Sequence, residues 1–125
     1  MLEDLTPAPM FRAAVEMFNT GDFVYAYEMT EQVWQTAPDA ARDFYKGFLQ
    51  TAAGFAKLRQ GNHTGAVSLL STGLELLEGF EPVTFGIDVT DLVDASARVL
   101  EALRRLGPEG IARAADMPLP AIRKV

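Results

Sequence analysis

Two short stretches, forty residues apart, do most to limit the folds open to this chain. Phe18-Asn19-Thr20-Gly21-Asp22 aligns with Leu58-Arg59-Gln60-Gly61-Asn62. In each, a glycine closes an amphipathic run and an Asx residue follows it. A glycine so placed ends a helix by taking up a positive φ. The Asx side chain then accepts from the backbone of the next helix and starts it. Four residues further on, Ala26 and Ala66 coincide, small enough to let the second helix sit close to the first, and Trp34 aligns with Leu74. Helix, glycine stop, Asx cap, helix is the pattern of a helical hairpin, here used twice. It is similar to tetratricopeptide pairs, although their period is about 34 residues.

Apolar spacing extends the helical reading along the chain. It predicts helices at about 10–19, 23–36, 41–60, 63–78 and 89–106, and a short one at 109–115. Phe44, Phe48, Ala52 and Phe55 form the stripe of the third. Gly47 and Gly54 share one face of it, and small residues there permit a close neighbour. Pro38-Asp39 breaks the pattern and offers Asp39 as the cap of the third helix; Asp88 is the candidate cap of the fifth. The stretch Gly79-Phe80-Glu81-Pro82-Val83-Thr84-Phe85-Gly86-Ile87-Asp88 interrupts regular structure. No segment sustains the period-two alternation of a strand, so no sheet is expected. The fold class that follows is all-α: a compact bundle of five to six helices built on two tetratricopeptide-like helical hairpins. Residues 1–125 read as a single helical domain, with 1–9 an N-terminal extension, 10–106 the helical core, and 107–125 a short helix and extended C-terminal tail.

Composition narrows the function. The 125 residues are 49% hydrophobic and 22% charged, which suits a packed core. There is no cysteine, which excludes disulfides, thiolate metal sites and cysteine nucleophiles. No apolar run nears the ~18 residues of a membrane span, and the N-terminus lacks the pattern of a signal peptide. A cytoplasmic location is therefore expected. Residues 1–40 hold seven acids against Arg12 alone, whereas ten acids and ten bases balance over 41–125. The acidic third repels phosphate backbones and disfavours nucleic acid. Arg98, Arg104 and Arg105 are the local basic group and suit a helix C-terminus.

The turn Phe18-Asn19-Thr20-Gly21, then Glu31 and Trp34, then Phe44, Gly47, Phe48, Leu49, Gln50, Ala52 and Ala53, then Gln60-Gly61-Asn62 and Ala66 form an ordered series. In this series the chain resembles the bacterial and archaeal family called domain of unknown function 309, from Phe18 to about Leu103. The resemblance implies a small helical protein and brings no activity with it. The family's His-x-x-x-Glu-x-x-Trp signature is altered here, because Tyr27 stands at its histidine position. A phenol titrates near 10 rather than near 6.5, so it is a poor proton shuttle at neutral pH and offers no imidazole to a metal.

Tyr27, Glu31 and Trp34 fall at i, i+4 and i+7 along one side of a helix. With Arg42 and Gln50 from the next helix, they are the candidate ligand site. Glu28 lies one turn before Glu31, but di-metal bundles draw Glu-x-x-His pairs from facing helices, and the only histidine, His63, sits in the first turn of the fourth helix. The structural alternative pairs Glu31 with Arg42 and makes Trp34 a core anchor. Asn19, Gly21, Asp22, Gly61 and Asn62 are helix-turn residues; they lack the glycine density and lysine of a phosphate loop. No catalytic residue, cofactor or metal is expected. Tyr25, Met29 and Phe85 are surplus apolar side chains. The reading is a non-enzymatic domain that binds another protein or itself, without nucleic acid or membrane. The alternative is a small-molecule binder or enzyme whose pocket lies around Tyr27, Glu31, Trp34 and Gln50, with Gly47 and Gly54 leaving room for it.

Overall fold

A computed structural model describes residues 7–125. Six α-helices account for most of them: α1 (Pro9–Asn19), α2 (Phe23–Gln35), α3 (Asp39–Arg59), α4 (His63–Glu78), α5 (Val89–Leu106) and α6 (Ile111–Ala115). Each of the first five packs against the next, and α6 returns to α3 and α5. The architecture is the all-α bundle that apolar spacing predicts. No helix among the described residues is long and apolar enough to cross a membrane.

The two turns share one backbone solution. Gly21 has φ 85° and Gly61 has φ 77°, values that a side chain would strain. In the first turn the Gly21 N–H donates to Phe18 O at 3.0 Å, and the Asp22 N–H donates to Met17 O at 2.8 Å. In the second, Gly61 donates to Leu58 O at 3.1 Å and Asn62 to Lys57 O at 2.9 Å. This pair of bonds is the Schellman motif, and it occupies the last free carbonyls of α1 and α3. The Asx side chains then start the next helices. Asp22 Oδ1 accepts from Tyr25 N at 3.2 Å, and Asn62 Oδ1 accepts from Gly65 N at 2.8 Å. Asp88 Oδ1 caps α5 in the same way, accepting from Asp91 N at 2.9 Å. Asn62→Ala is expected to lower the unfolding free energy by about 0.5–2 kcal/mol, with no change in helical circular dichroism; a urea midpoint equal to wild type would show that the cap is dispensable.

Asp39 does not take the capping role expected of it. It is the first residue of α3, preceded by Pro38, which supplies no side-chain bond. There its carboxylate faces the positive end of the helix dipole instead.

The core is aromatic. All eight phenylalanines belong to one continuous network of ring contacts, closed by Tyr45. Phe11 lies 4.9 Å from Phe48, 5.2 Å from Tyr45, 5.6 Å from Phe44 and 6.4 Å from Phe85, centroid to centroid. Phe18 joins Phe23, Phe48 and Phe55, and Phe80 joins Phe44. Phe85 is thus half-buried against α1 and α3 rather than surplus surface.

A sheet was not expected, yet β1 (Val83–Thr84) and β2 (Ile87–Asp88) form an antiparallel hairpin. Phe85 (φ 52°) and Gly86 (φ 75°) both have positive φ, the geometry of a type I′ turn. Two-residue strands are too short to show alternation, and phenylalanine is an unusual first residue for such a turn. The tail extends this hairpin: Val125 N donates to Gly86 O and Asp88 N to Arg123 O, both at 2.8 Å. It also closes on α1. The Asn19 side chain donates to Ile122 O at 3.1 Å and accepts from Ile122 N at 2.6 Å, and Lys124 pairs with Glu16. Ile122 is buried in the core.

Candidate functional site

Around α2 the buried line is Phe23, Ala26, Thr30 and Val33. A helix repeats every 3.6 residues, so Tyr27 and Trp34 fall on one shoulder of that line and Tyr25, Met29 and Gln32 on the other. Tyr27 and Trp34 are half-buried and pack against the core. Arg42, in the first turn of α3, is drawn to this shoulder. Its Nη1 donates to Trp34 O at 3.0 Å, and its guanidinium carbon sits 4.5 Å from the centre of the indole. One side chain thus fastens the α2–α3 junction, bonding an end-of-helix carbonyl and stacking on the ring beside it. Arg59 does the same at the opposite end of α3: it donates to Gly21 O at 2.6 Å and lies over Phe23 at 4.8 Å.

The expected pair between Arg42 and Glu31 does not form. Glu31 is exposed, and the one ion pair among the described residues is Glu16–Lys124. The indole and the Trp34 carbonyl, one turn closer to α3, claim the guanidinium first. Trp34 is half-buried rather than a sealed core anchor. Trp34→Ala is therefore expected to cost about 1–3 kcal/mol, below the 3–5 of a fully buried tryptophan; chemical denaturation measures it, and a loss above 4 would place the indole in the core.

Gln50 is separated from this group. The Cβ positions of Gly47 and Gly54 are closed by α4: a carbon on Gly47 would lie 3.0 Å from Leu76 Cβ, and one on Gly54 would lie 2.8 Å from Leu70 Cγ. Gln50, one turn from each, shares that α4-facing side. Its Oε1 is buried without a hydrogen-bond partner among the described residues. The glycines therefore leave no room between α2 and α3; they admit α4. Trp34 and Arg42 meet at the α2–α3 junction, Tyr27 lies two turns earlier on the same shoulder of α2, Gln50 lies two turns along α3 from Arg42, and Glu31 is exposed. Asn19, Gly21, Asp22, Gly61 and Asn62 all lie in the two turns already described.

His63, in the first turn of α4, is half-buried, with Nε2 2.7 Å from Leu103 O, so it ties the start of α4 to the end of α5. Among the described residues, no three His, Asp or Glu side chains are grouped so as to hold a metal ion. Among the described residues, Tyr45 is the titratable group whose acidity is clearly displaced: burial pushes its phenol up, with the Ala8 backbone working the other way. The fold keeps the phenol neutral. Its contribution is complete below the unfolded value of about 10 and is lost as pH rises through the higher folded one. Tyr45→Phe should flatten that alkaline loss in a pH series of thermal midpoints.

The open surface lies on the other shoulder of α2. A groove of about 460 Å³ is lined by Met10, Tyr25, Glu28, Met29, Glu31 and Gln32. A second, of about 380 Å³, runs on past Met10 and Gln32 to Pro38 and Tyr45. The two share Met10 and Gln32 and so form one trough along α2. Tyr25 is 57% exposed and Met10 42%. Their exposure is what sequence could not give, since helical spacing alone left Tyr25 and Met29 free to face either a neighbour or solvent.

The fold and the α2–α3 junction define a small all-α protein of two successive helical hairpins, closed by a fifth helix and a docked tail. Over residues 11–69 the chain matches the model of the family described as Domain of unknown function (DUF309). The match takes in most of α1, all of α2 and α3, and the first part of α4, both repeated turns included. No curated protein and no solved structure matches the chain.

Proposed function

We propose that this chain is a non-enzymatic interaction domain that engages another protein through the outer face of its first hairpin. One observation carries the reading. Of five large apolar side chains left exposed among the described residues, Met10 and Tyr25 line a common groove and Val24 stands beside it. Scattered apolar residues are ordinary on a protein surface, whereas grouped ones mark contact sites. Methionine and tyrosine suit such a site, because one adapts its shape and the other brings area at little entropic cost. The repeated hairpins give the face a rigid backing. Glycines that admit α4 rather than a ligand count against the small-molecule alternative.

The test places photo-reactive benzoylphenylalanine at Tyr25 and, separately, at exposed Thr72 on α4. In the native cell, the Tyr25 probe should give a discrete adduct heavier than the 13.6 kDa chain, and the Thr72 probe should not. Uncrosslinked chain at both positions overturns the reading. Light scattering of the purified protein then assigns the adduct to self or to another protein.

A further inference from the structure

The trough has a chemistry that selects among protein partners. Its lining includes two carboxylates, Glu28 and Glu31, and no lysine or arginine. Neither carboxylate is held by an ion pair among the described residues, and both lie exposed on α2. The surrounding hairpin keeps the sign: across residues 7–40 the acids are Glu16, Asp22, Glu28, Glu31 and Asp39 against Arg12 as the only base, and Lys124 from the tail offsets Glu16. Between the carboxylates and the α1 start runs an apolar floor of Met10, Tyr25 and Met29. The trough follows α2, whose 13 residues span about 20 Å. That length matches three to four turns of a partner helix. A groove with a methionine-aromatic floor and an acidic rim is complementary to an amphipathic helix that is apolar on one face and cationic beside it.

We infer that the α1–α2 trough binds a basic amphipathic α-helix of another protein, its apolar side chains seated among Met10, Tyr25 and Met29 and its lysines or arginines on Glu28 and Glu31. The inference rests on the interaction reading above and specifies the partner. A second copy of this chain is the less suitable occupant, because its own hairpin face carries the same sign.

The experiment titrates the whole isotope-labelled chain with a synthetic Leu/Lys amphipathic helix of about 18 residues, followed by backbone amide shifts. Shifts should centre on Tyr25, Glu28, Met29 and Glu31. Affinity should fall roughly tenfold or more in the E28K/E31K double variant, and should also fall when salt rises from about 0.05 to 0.3 M. Both substitutions are on the exposed face of α2, so the urea midpoint of the variant should match wild type and serves as the folding control. A Leu/Glu peptide of the same pattern should not bind. Several results would overturn the inference: shifts centred instead on a second groove, between α4 and α5, that is lined by Glu75, Glu78 and Glu101, equal binding by the double variant, equal binding of the acidic peptide, or no binding below millimolar. Light scattering that shows a dimer abolished by Tyr25→Lys would also overturn it, by assigning the trough to a second copy. A Tyr25 cross-link to another protein, without charge-dependent peptide binding, would retain the interaction domain and remove the basic helix.

Discussion

Phe11→Ala should lower the unfolding free energy by about 3–5 kcal/mol, among the largest losses available to a single truncation in this chain. Phe11 is 1% exposed, in the first turn of α1. Its ring meets four others, two of them, Phe44 and Phe48, fully buried on α3. Edge-to-face pairs such as these add about 0.5–1.5 kcal/mol each beyond the area they bury. Phe85, on the hairpin, and Tyr45 complete the cage, so one deletion loosens α1, α3 and the hairpin together. Collapse into the space is hindered because the walls are rigid rings with few alternative rotamers. Met10, its neighbour in sequence, supplies the comparison: it is 42% exposed, and Met10→Ala should stay within about 0.5 kcal/mol of wild type. Urea unfolding followed by circular dichroism reads both. A Phe11→Ala loss below 2 kcal/mol would mean that α1 is only loosely held, and the trough it borders would lose its rigid wall.

The two turns were legible because their physics is local. A glycine with positive φ and an Asx acceptor act within six residues, so the forty-residue alignment of Gly21-Asp22 with Gly61-Asn62 translates directly into matching hydrogen bonds. The aromatic stripe of α3 was equally plain, since Phe44, Phe48 and Phe55 repeat at helical spacing and all are buried. What sequence left hidden is long-range. Asn19 and Arg59 occupy equivalent places in the two turns, yet Asn19 binds the tail at Ile122, 103 residues away, while Arg59 crosses to the other turn. Nothing in the local pattern distinguishes those roles. The arrangement of the candidate site was only partly legible for a related reason. Tyr27, Glu31 and Trp34 are spaced to share a side of α2, but spacing does not say how far around the helix the core extends. It stops between Trp34 and Glu31, which leaves the carboxylate in water. Nor does it say which neighbour meets the glycine face of α3, and that face turned out to belong to α4.

That glycine face yields the second large effect. Gly73→Leu should cost about 3 kcal/mol or more, the upper end of what overpacking does. A Cβ on Gly73 would lie 2.6 Å from Thr51 Oγ1, 2.9 Å from Thr51 N and 3.0 Å from Gly47 O. Two of those three atoms are backbone of α3 and cannot swing aside. The third is fixed by its own bond, Thr51 Oγ1 to Gly47 O at 2.8 Å, and Thr51 is fully buried. Any side chain at 73 must therefore push α4 away from α3. Even alanine, which gains about 1 kcal/mol of helix propensity over glycine, should destabilise here on balance. Gly79 tests the logic in the opposite direction. Its φ is −68°, and the nearest atom to an added Cβ is 3.5 Å away. Gly79→Ala should thus be neutral or stabilising by about 0.4–1 kcal/mol, through the unfolded chain. Opposite signs for the two alanine variants in thermal unfolding would establish that α3 and α4 are held by backbone approach rather than by general apolar contact. A stabilised Gly73→Ala would show that the helices have slack, and would reopen the space beside Gly47 and Gly54 as room for a ligand.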